Sequence, residues 1–251
     1  MKSIKTLALV TGLLAISGVS QAQFSSTWTI VSDYDFRGVS QSGKDPALQG
    51  SADYAFGDSG FSVGAWASNV DFSPFDGDIE LDAYANYVGK INDTFSWTAG
   101  VTYYMYPGSD SVQIAPGFEL APLGEYWEAY VGFNAGNFNF KQWYADDFYE
   151  SSTSAMYSEA NYTQPLGEKF SLAFHVGYSW GDYWDDLGDF LDSSGDQIDY
   201  AVQGNLTAGK FNVFAKFTGT DASGDQKTTG DVGNNEPRIL IGVSTTFPWS
   251  K

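Results

Sequence analysis

Few residues in this chain have the means to do chemistry. The single histidine, His175, lies in FSLAFHVGYSW, residues 170–180. Histidine can serve as a general base or a metal ligand near neutral pH. A metal site wants several ligands, and without cysteine or a second histidine only carboxylates could complete one. A lipid-cleaving enzyme would need a serine and this histidine presented together where lipid can reach them. In the stretch itself Phe170, Leu172, Phe174, Val176, Tyr178 and Trp180 alternate with Ser171, Ala173, His175, Gly177 and Ser179. His175 therefore points away from the apolar face, and we read it as a polar residue of the opposite side with no catalytic role.

Glu80 and Asp82 are the second candidate. Glycoside hydrolysis needs two carboxylates about 5 to 10 Å apart across a cleft. Two positions apart on one strand, these side chains stand roughly 6 to 7 Å from each other. The distance is permissible, but a charged ladder in the interior of a β-structure needs no cleft, and we read the pair as such a network. Lys141, Lys216 and Arg238 are its expected counter-charges. Arg37, in DFRG, lies at the top of the first apolar-alternating segment, just past its end, and Arg238 lies at the top of the last one beside it. Pairing with Asp33 or Asp35 is the structural expectation for Arg37, and a guanidinium lining a constriction is the functional one. The stretch GDYWDDLGDFLDSSGDQ, residues 181–197, holds six aspartates and no base, yet lacks the residue order of an EF-hand loop. It reads as a solvated acidic loop in which Trp184, Leu187 and Leu191 fall at helical spacing. No metal and no cofactor are assigned.

What must position these residues is a set of strands. Twelve segments of about ten residues alternate with period two: Ser26 to Tyr34, Ala47 to Phe56, Phe61 to Ser68, Ile79 to Gly89, Phe95 to Tyr106, Tyr126 to Ala135, Phe138 to Ala145, Ser154 to Gln164, Phe170 to Trp180, Ile198 to Ala208, Phe211 to Gly219 and Arg238 to Phe247. Their connections alternate too, short after even segments and long and polar after odd ones. A two-residue turn at Gly136 and Asn137 sets Asn134 opposite Asn139 and Gly132 opposite Lys141. The same construction at Gly209 and Lys210 sets Thr207 opposite Asn212 and Gln203 opposite Lys216. Both hairpins thus keep their polar residues on one face, which a one-residue slip would destroy.

The chain has 251 residues, no cysteine and 17% aromatic residues. It opens MKSIKTLALVTGLLAISGVSQAQF, with Lys2 and Lys5 before a short apolar run and small residues at Ser20 and Ala22. This predicts a Sec-type signal peptide over residues 1–22 and one mature domain over 23–251. The run is too short to span a bilayer, and no later stretch supplies the roughly 20 apolar residues of a transmembrane helix. Without Lys2 and Lys5, 10 basic residues face 31 acidic ones. That balance excludes nucleic acid as a partner, because no basic patch exists to displace counterions from phosphates.

An even number of antiparallel strands, alternating loop lengths and an export signal together describe an all-β fold, a transmembrane antiparallel up-and-down β-barrel of about 12 strands in the outer membrane. Trp97, Tyr103, Trp127, Tyr144, Tyr178, Trp180 and Phe247 supply the interfacial girdles. The inward face holds the expected pore-lining residues Arg37, Asp53, Glu80, Asp82, Glu128, Lys141, Glu159, His175, Asp199, Lys216 and Arg238. Trp66, Tyr84, Tyr104, Tyr130 and Trp143 also turn inward and narrow the lumen.

SDYDFRGVSQS from Ser32, PALQGSADYAF from Pro46, GFSVGAWASNVDF from Gly60 and IELDAYANYVG from Ile79 resemble the opening blocks of the TorF-type porins, bacterial outer-membrane proteins. The resemblance implies a barrel and a pore, and carries no catalytic residues. At the other end Gly242 and Phe247 fit the terminal-strand pattern of outer-membrane proteins, whereas Thr245 stands where an aromatic is favoured.

These readings converge on an outer-membrane channel for small hydrophilic solutes or ions, not an enzyme, with lipid outside and both termini periplasmic. The six long loops carry 21 acidic residues against three bases, Arg37, Lys44 and Lys227, which favours cations. The competing expectation is a closed barrel with a structural or surface-adhesion role through those acidic loops.

Overall fold

The computed structural model describes residues 24–72, 77–115, 118–120, 122–191, 195–222 and 235–249. The expected signal peptide lies outside the described residues, as does most of the last long loop with Lys227. Twelve strands close into one antiparallel barrel in which each pairs with its sequence neighbour and the first with the last. We label them β1 (Phe24–Val31), β2 (Ala47–Ala55), β3 (Phe61–Asn69), β4 (Ile79–Lys90), β5 (Phe95–Met105), β6 (Tyr126–Ala135), β7 (Phe138–Ala145), β8 (Ala155–Leu166), β9 (Phe170–Trp180), β10 (Gln197–Ala208), β11 (Phe211–Thr220) and β12 (Arg238–Phe247). Closure removes the exposed edges that an open sheet of this size would present.

The expected registers hold: Asn134 faces Asn139, Gly132 faces Lys141, Thr207 faces Asn212 and Gln203 faces Lys216. Gly136 and Gly209 sit in the left-handed region at φ 60° and 67°, which lets each two-residue turn match the twist of its strands. The apolar face of every strand is outside. Phe170, Phe174, Val176 and Tyr178 of β9 are all exposed, and so are Ile30, Val131, Ile239 and Ile241 on other strands. A continuous apolar exterior around a polar interior is the inverse of a soluble barrel and matches a transmembrane one. No helix among the described residues is long and apolar enough to cross a membrane. At the last strand Trp249 stacks on Phe247 with ring centroids 4.6 Å apart, and its indole N–H donates to Thr245 Oγ1 at 2.9 Å. An aromatic ring thus lies beside Thr245 after all.

The main departure from the sequence expectation comes at the first strand. It leaves the wall at Val31, three residues early, and residues 32–46 fold back as a tongue. Asp35–Phe36 pairs with Val39–Ser40 in a miniature hairpin whose turn is Arg37 and Gly38, at φ 50° and 82°. Beyond β9 the acidic stretch forms helix α1 (Asp182–Leu191), where helical spacing had been noted. Trp184 and Tyr183 at its start pack against Phe148, which continues inward through Tyr149 to Tyr126 and Tyr106.

Candidate functional site: the charged layer inside the barrel

The tongue reaches from the β1–β12 seam to the facing wall. Arg37 donates two hydrogen bonds to Glu128 on β6, at 3.0 and 2.6 Å, and its guanidinium lies 4.0 Å from the Tyr157 ring centroid and 4.7 Å from Phe36. This corrects the expected pairing with Asp33 or Asp35. Those two aspartates belong to Arg238 instead, whose Nε meets Asp33 and whose Nη2 meets Asp35, each at 2.6 Å. Lys216 adds a third contact to the root, 2.6 Å from Asp35. Burial alone would favour neutral Arg37, but Glu128 beside it raises the guanidinium further above its ordinary range, so it stays charged.

Gly38 explains how the tip fits. A Cβ there would lie 2.5 Å from Thr220 Cγ2 and 2.8 Å from Asp199 Cβ, so the turn presses directly on β10 and β11. Only glycine combines that approach with a positive φ. The tongue therefore touches both sides of the barrel at one level.

A second network occupies the same level. Lys141 lies 3.7 Å from Glu159, which also accepts from Trp143 Nε1 at 2.9 Å and Asn161 Nδ2 at 3.0 Å. His175 is held between Asn161 Oδ1 and Asp199 Oδ1, 2.7 Å from each, while the Tyr157 hydroxyl lies 3.0 Å from its Nε2. Both ring nitrogens thus face oxygen acceptors, and neither is aimed at an activated nucleophile. Gly177 makes room, since a Cβ there would come within 2.3 Å of both Tyr157 Oη and Asp199 Oδ2.

Glu128, Asp199 and Lys141 are 1%, 2% and 3% exposed, and Tyr104, Tyr130 and Tyr157 are buried with them. Water filling a pore would reach such side chains, so this level is packed solid. Some inward residues away from it, among them Ser62, Asn86, Asn139 and Gln203, are partly accessible. Asp53 is separate from the layer and accepts from Tyr84 and Ser51.

Glu80 and Asp82 are inward as expected, but their expected counter-charges are not theirs. Lys141 pairs with Glu159, Lys216 with Asp35, and Arg238 with Asp33 and Asp35. Among the described residues no cation lies within ion-pair distance of either carboxylate. Glu80 accepts from the Tyr34 hydroxyl at 3.2 Å. Burial, with Glu80 and Asp82 near it, raises Tyr34 well above its ordinary range and keeps it a donor. The described residues contain no group of three side chains suited to holding a metal ion.

Sequence reasoning missed that Tyr34, Asp33 and Asp35 are interior residues and that Asn161 and Tyr157 frame His175. The signal available was the tight succession of acid, aromatic, base and glycine in DYDFRG, which suits a folded turn better than a membrane strand.

A family model described as "Bacterial protein of unknown function (Gcw_chp)" matches residues 15–247. No curated protein matches the chain. Among solved structures, the KdgM porin is similar over 89% of this chain and 99% of its own, with 11% identity and a TM-score of 0.53. A structure described as KdgM porin in complex with disordered oligogalacturonate is similar over the same shares, at 12% identity and a TM-score of 0.54. The NanC porin is similar over 90% of this chain and 100% of its own, at 10% identity and a TM-score of 0.53. These likenesses are likenesses of fold: a closed 12-stranded antiparallel barrel.

Proposed function

The chain belongs to the Gcw_chp family of bacterial proteins of unknown function, and on that footing we propose that it is an outer-membrane channel for small hydrophilic solutes or ions, cation-preferring and gated by its tongue. On this reading a signal peptide at residues 1–22 exports the chain, and the even number of strands returns both mature termini to the periplasm. The TorF-type resemblance of its opening blocks and the porin-like fold support the same reading.

The observation that carries it is the charge of the interior. Asp33, Asp35, Asp53, Glu80, Asp82, Glu128, Glu159 and Asp199 face inward, against Arg37, Lys141, Lys216 and Arg238 and the one histidine. Carboxylates outnumber bases two to one. An excess of fixed carboxylates concentrates cations and repels anions. Its KdgM neighbour is described with an oligogalacturonate, an acidic chain; an interior of this sign suits the opposite charge.

The packed layer at Arg37 and Glu128 favours a second reading, a closed barrel whose acidic loops serve a structural or adhesive role. Recording purified, refolded protein in planar bilayers under a KCl gradient separates the two. A reversal potential of cation-preferring sign, weakening as salt shortens the screening length from about 10 Å at 0.1 M to about 3 Å at 1 M, supports the channel. Absence of conductance supports the closed barrel, and anion preference would show that Arg37, Lys141 and Arg238 control passage.

A further inference from the structure

Asp82 is an anomaly within a well-paired interior. Asp82 is 8% exposed, its Oδ1 is buried and has no hydrogen-bond partner, and among the described residues no cation lies within ion-pair distance of it. A buried polar oxygen without a partner is costly, so such groups are ordinarily paired. Two residues away on the same face, Glu80 is 3% exposed and has one contact, from Tyr34. Every other buried carboxylate of the layer has a base or histidine of its own.

The surroundings of this pair are aromatic. Asp82 lies directly across from Trp66 on β3 and from Tyr104 on β5. Tyr34 from the tongue packs on Trp66 with ring centroids 5.2 Å apart, and Phe36 lies 6.2 Å from Tyr104. Two carboxylates walled by π-faces suit a cation that is both charged and partly apolar. A divalent metal ion would want six or more oxygen ligands, and no group of three metal-ligating side chains exists among the described residues.

We propose that Glu80 and Asp82, walled by Trp66, Tyr104 and the tongue's Tyr34, form a binding site for an organic cation bearing a primary ammonium or guanidinium group. The cation's N–H groups donate to Asp82 Oδ1 and to Glu80, and its alkyl stem lies against the rings. Tyr34 and Phe36 cover the site, so the cation enters as the tongue yields. The inference rests on the channel reading for its route of access and deepens it by naming the solute class.

Butylguanidinium and butylammonium chloride, titrated calorimetrically into the refolded mature chain in detergent, test it without requiring conductance. Saturable binding at one site is expected, weakened at least tenfold by Asp82→Asn and by Glu80→Gln and unchanged by Asp58→Asn in an exposed turn. Butyramide should not bind, and KCl or MgCl2 at matched ionic strength should not compete beyond screening. If Asp82→Asn does not fold, Trp66→Leu keeps both carboxylates and removes one wall; it should weaken butylguanidinium several-fold. No binding by the wild type, equal binding in the carboxylate variants, or displacement by Mg2+ at equimolar concentration overturns the proposal. Bilayer recordings on the same preparation keep the two ideas apart. Conductance without butylguanidinium binding defeats this inference alone, and binding without conductance defeats the channel alone.

Discussion

Replacing Arg37 by alanine should release the tip of the tongue and raise conductance. The guanidinium and carboxylate of Arg37 and Glu128 are only 10% and 1% exposed and meet at 2.6 Å. Two unit charges about 4 Å apart attract by about 4 kcal/mol at an effective dielectric of about 20. Desolvation offsets much of that while the pair is whole, but removing one partner strands the other at a cost of about 3 to 5 kcal/mol. In Arg37→Ala, Glu128 would keep only the Tyr104 hydroxyl, 3.1 Å away. The strain is relieved when the tip leaves the layer and water reaches Glu128. The barrel wall does not depend on Arg37, so heat-modifiable migration on gels should stay native while single-channel conductance rises at least twofold. Arg37→Glu should open the layer further, and Arg37→Glu with Glu128→Arg should close it again. Gly38→Ala should open it by a different route, because its Cβ collides with Thr220 and Asp199 and the backbone is left-handed. If Arg37→Ala and Gly38→Ala both conduct as the wild type does, the tongue is not the barrier.

Facing and orientation have their own tests. Phe174 is 42% exposed on the outer wall, so Phe174→Arg should cost about 2 to 4 kcal/mol of folding free energy into lipid vesicles near the midplane. His175→Arg puts a guanidinium opposite Asp199 inside the barrel and should cost much less, and equal penalties would contradict the register. The chain lacks cysteine, so single introduced cysteines report cleanly. Lys44→Cys, in the exposed limb of the tongue loop, should react with a membrane-impermeant maleimide on intact cells, while Asp58→Cys in the β2–β3 turn should react only after lysis. The reverse labelling would refute the periplasmic placement of the termini.

The wall of this barrel was legible because each strand states its facing many times over. In β9 six apolar and five small or polar residues alternate without a break, and a slip of one would put His175 in hydrocarbon. The interior pairing was not legible, because facing does not say which opposite charge a long side chain reaches. Availability alone points Lys141, Lys216 and Arg238 toward Glu80 and Asp82. The tongue changed the outcome by bringing Asp33 and Asp35 to Arg238 and Lys216. Thr29, Val31 and Asp33 extend the alternation of β1 past its end, and only the succession DYDFRG, whose Arg37 and Gly38 take positive φ, marks the turn. With those bases taken, Glu80 and Asp82 have no base within ion-pair distance among the described residues.

The tongue also separates charge across the lumen, which bears on how a cation-preferring channel would operate. Glu80 and Asp82 stand on β4 and Glu128 on β6, whereas Lys216 and Arg238 stand on β11 and β12, on the far side of the closed sheet. With the tongue in place, Arg37 reaches the acidic wall while Asp33 and Asp35 stay at the basic one, so each wall is covered by its opposite charge. Withdrawal of the hairpin would uncover both walls together and leave a field running across the pore. Hydrated cations would then travel along β4 to β6, past the site at Glu80 and Asp82, and anions along β11 and β12. Because Asp53, Glu159 and Asp199 add acid around the remaining wall and, among the described residues, Lys141 is the lysine set against them, the cation path would be the wider one. Asp33, Asp35 and Arg37, which cover both walls with the tongue in place, would then also set the charge balance of the uncovered pore.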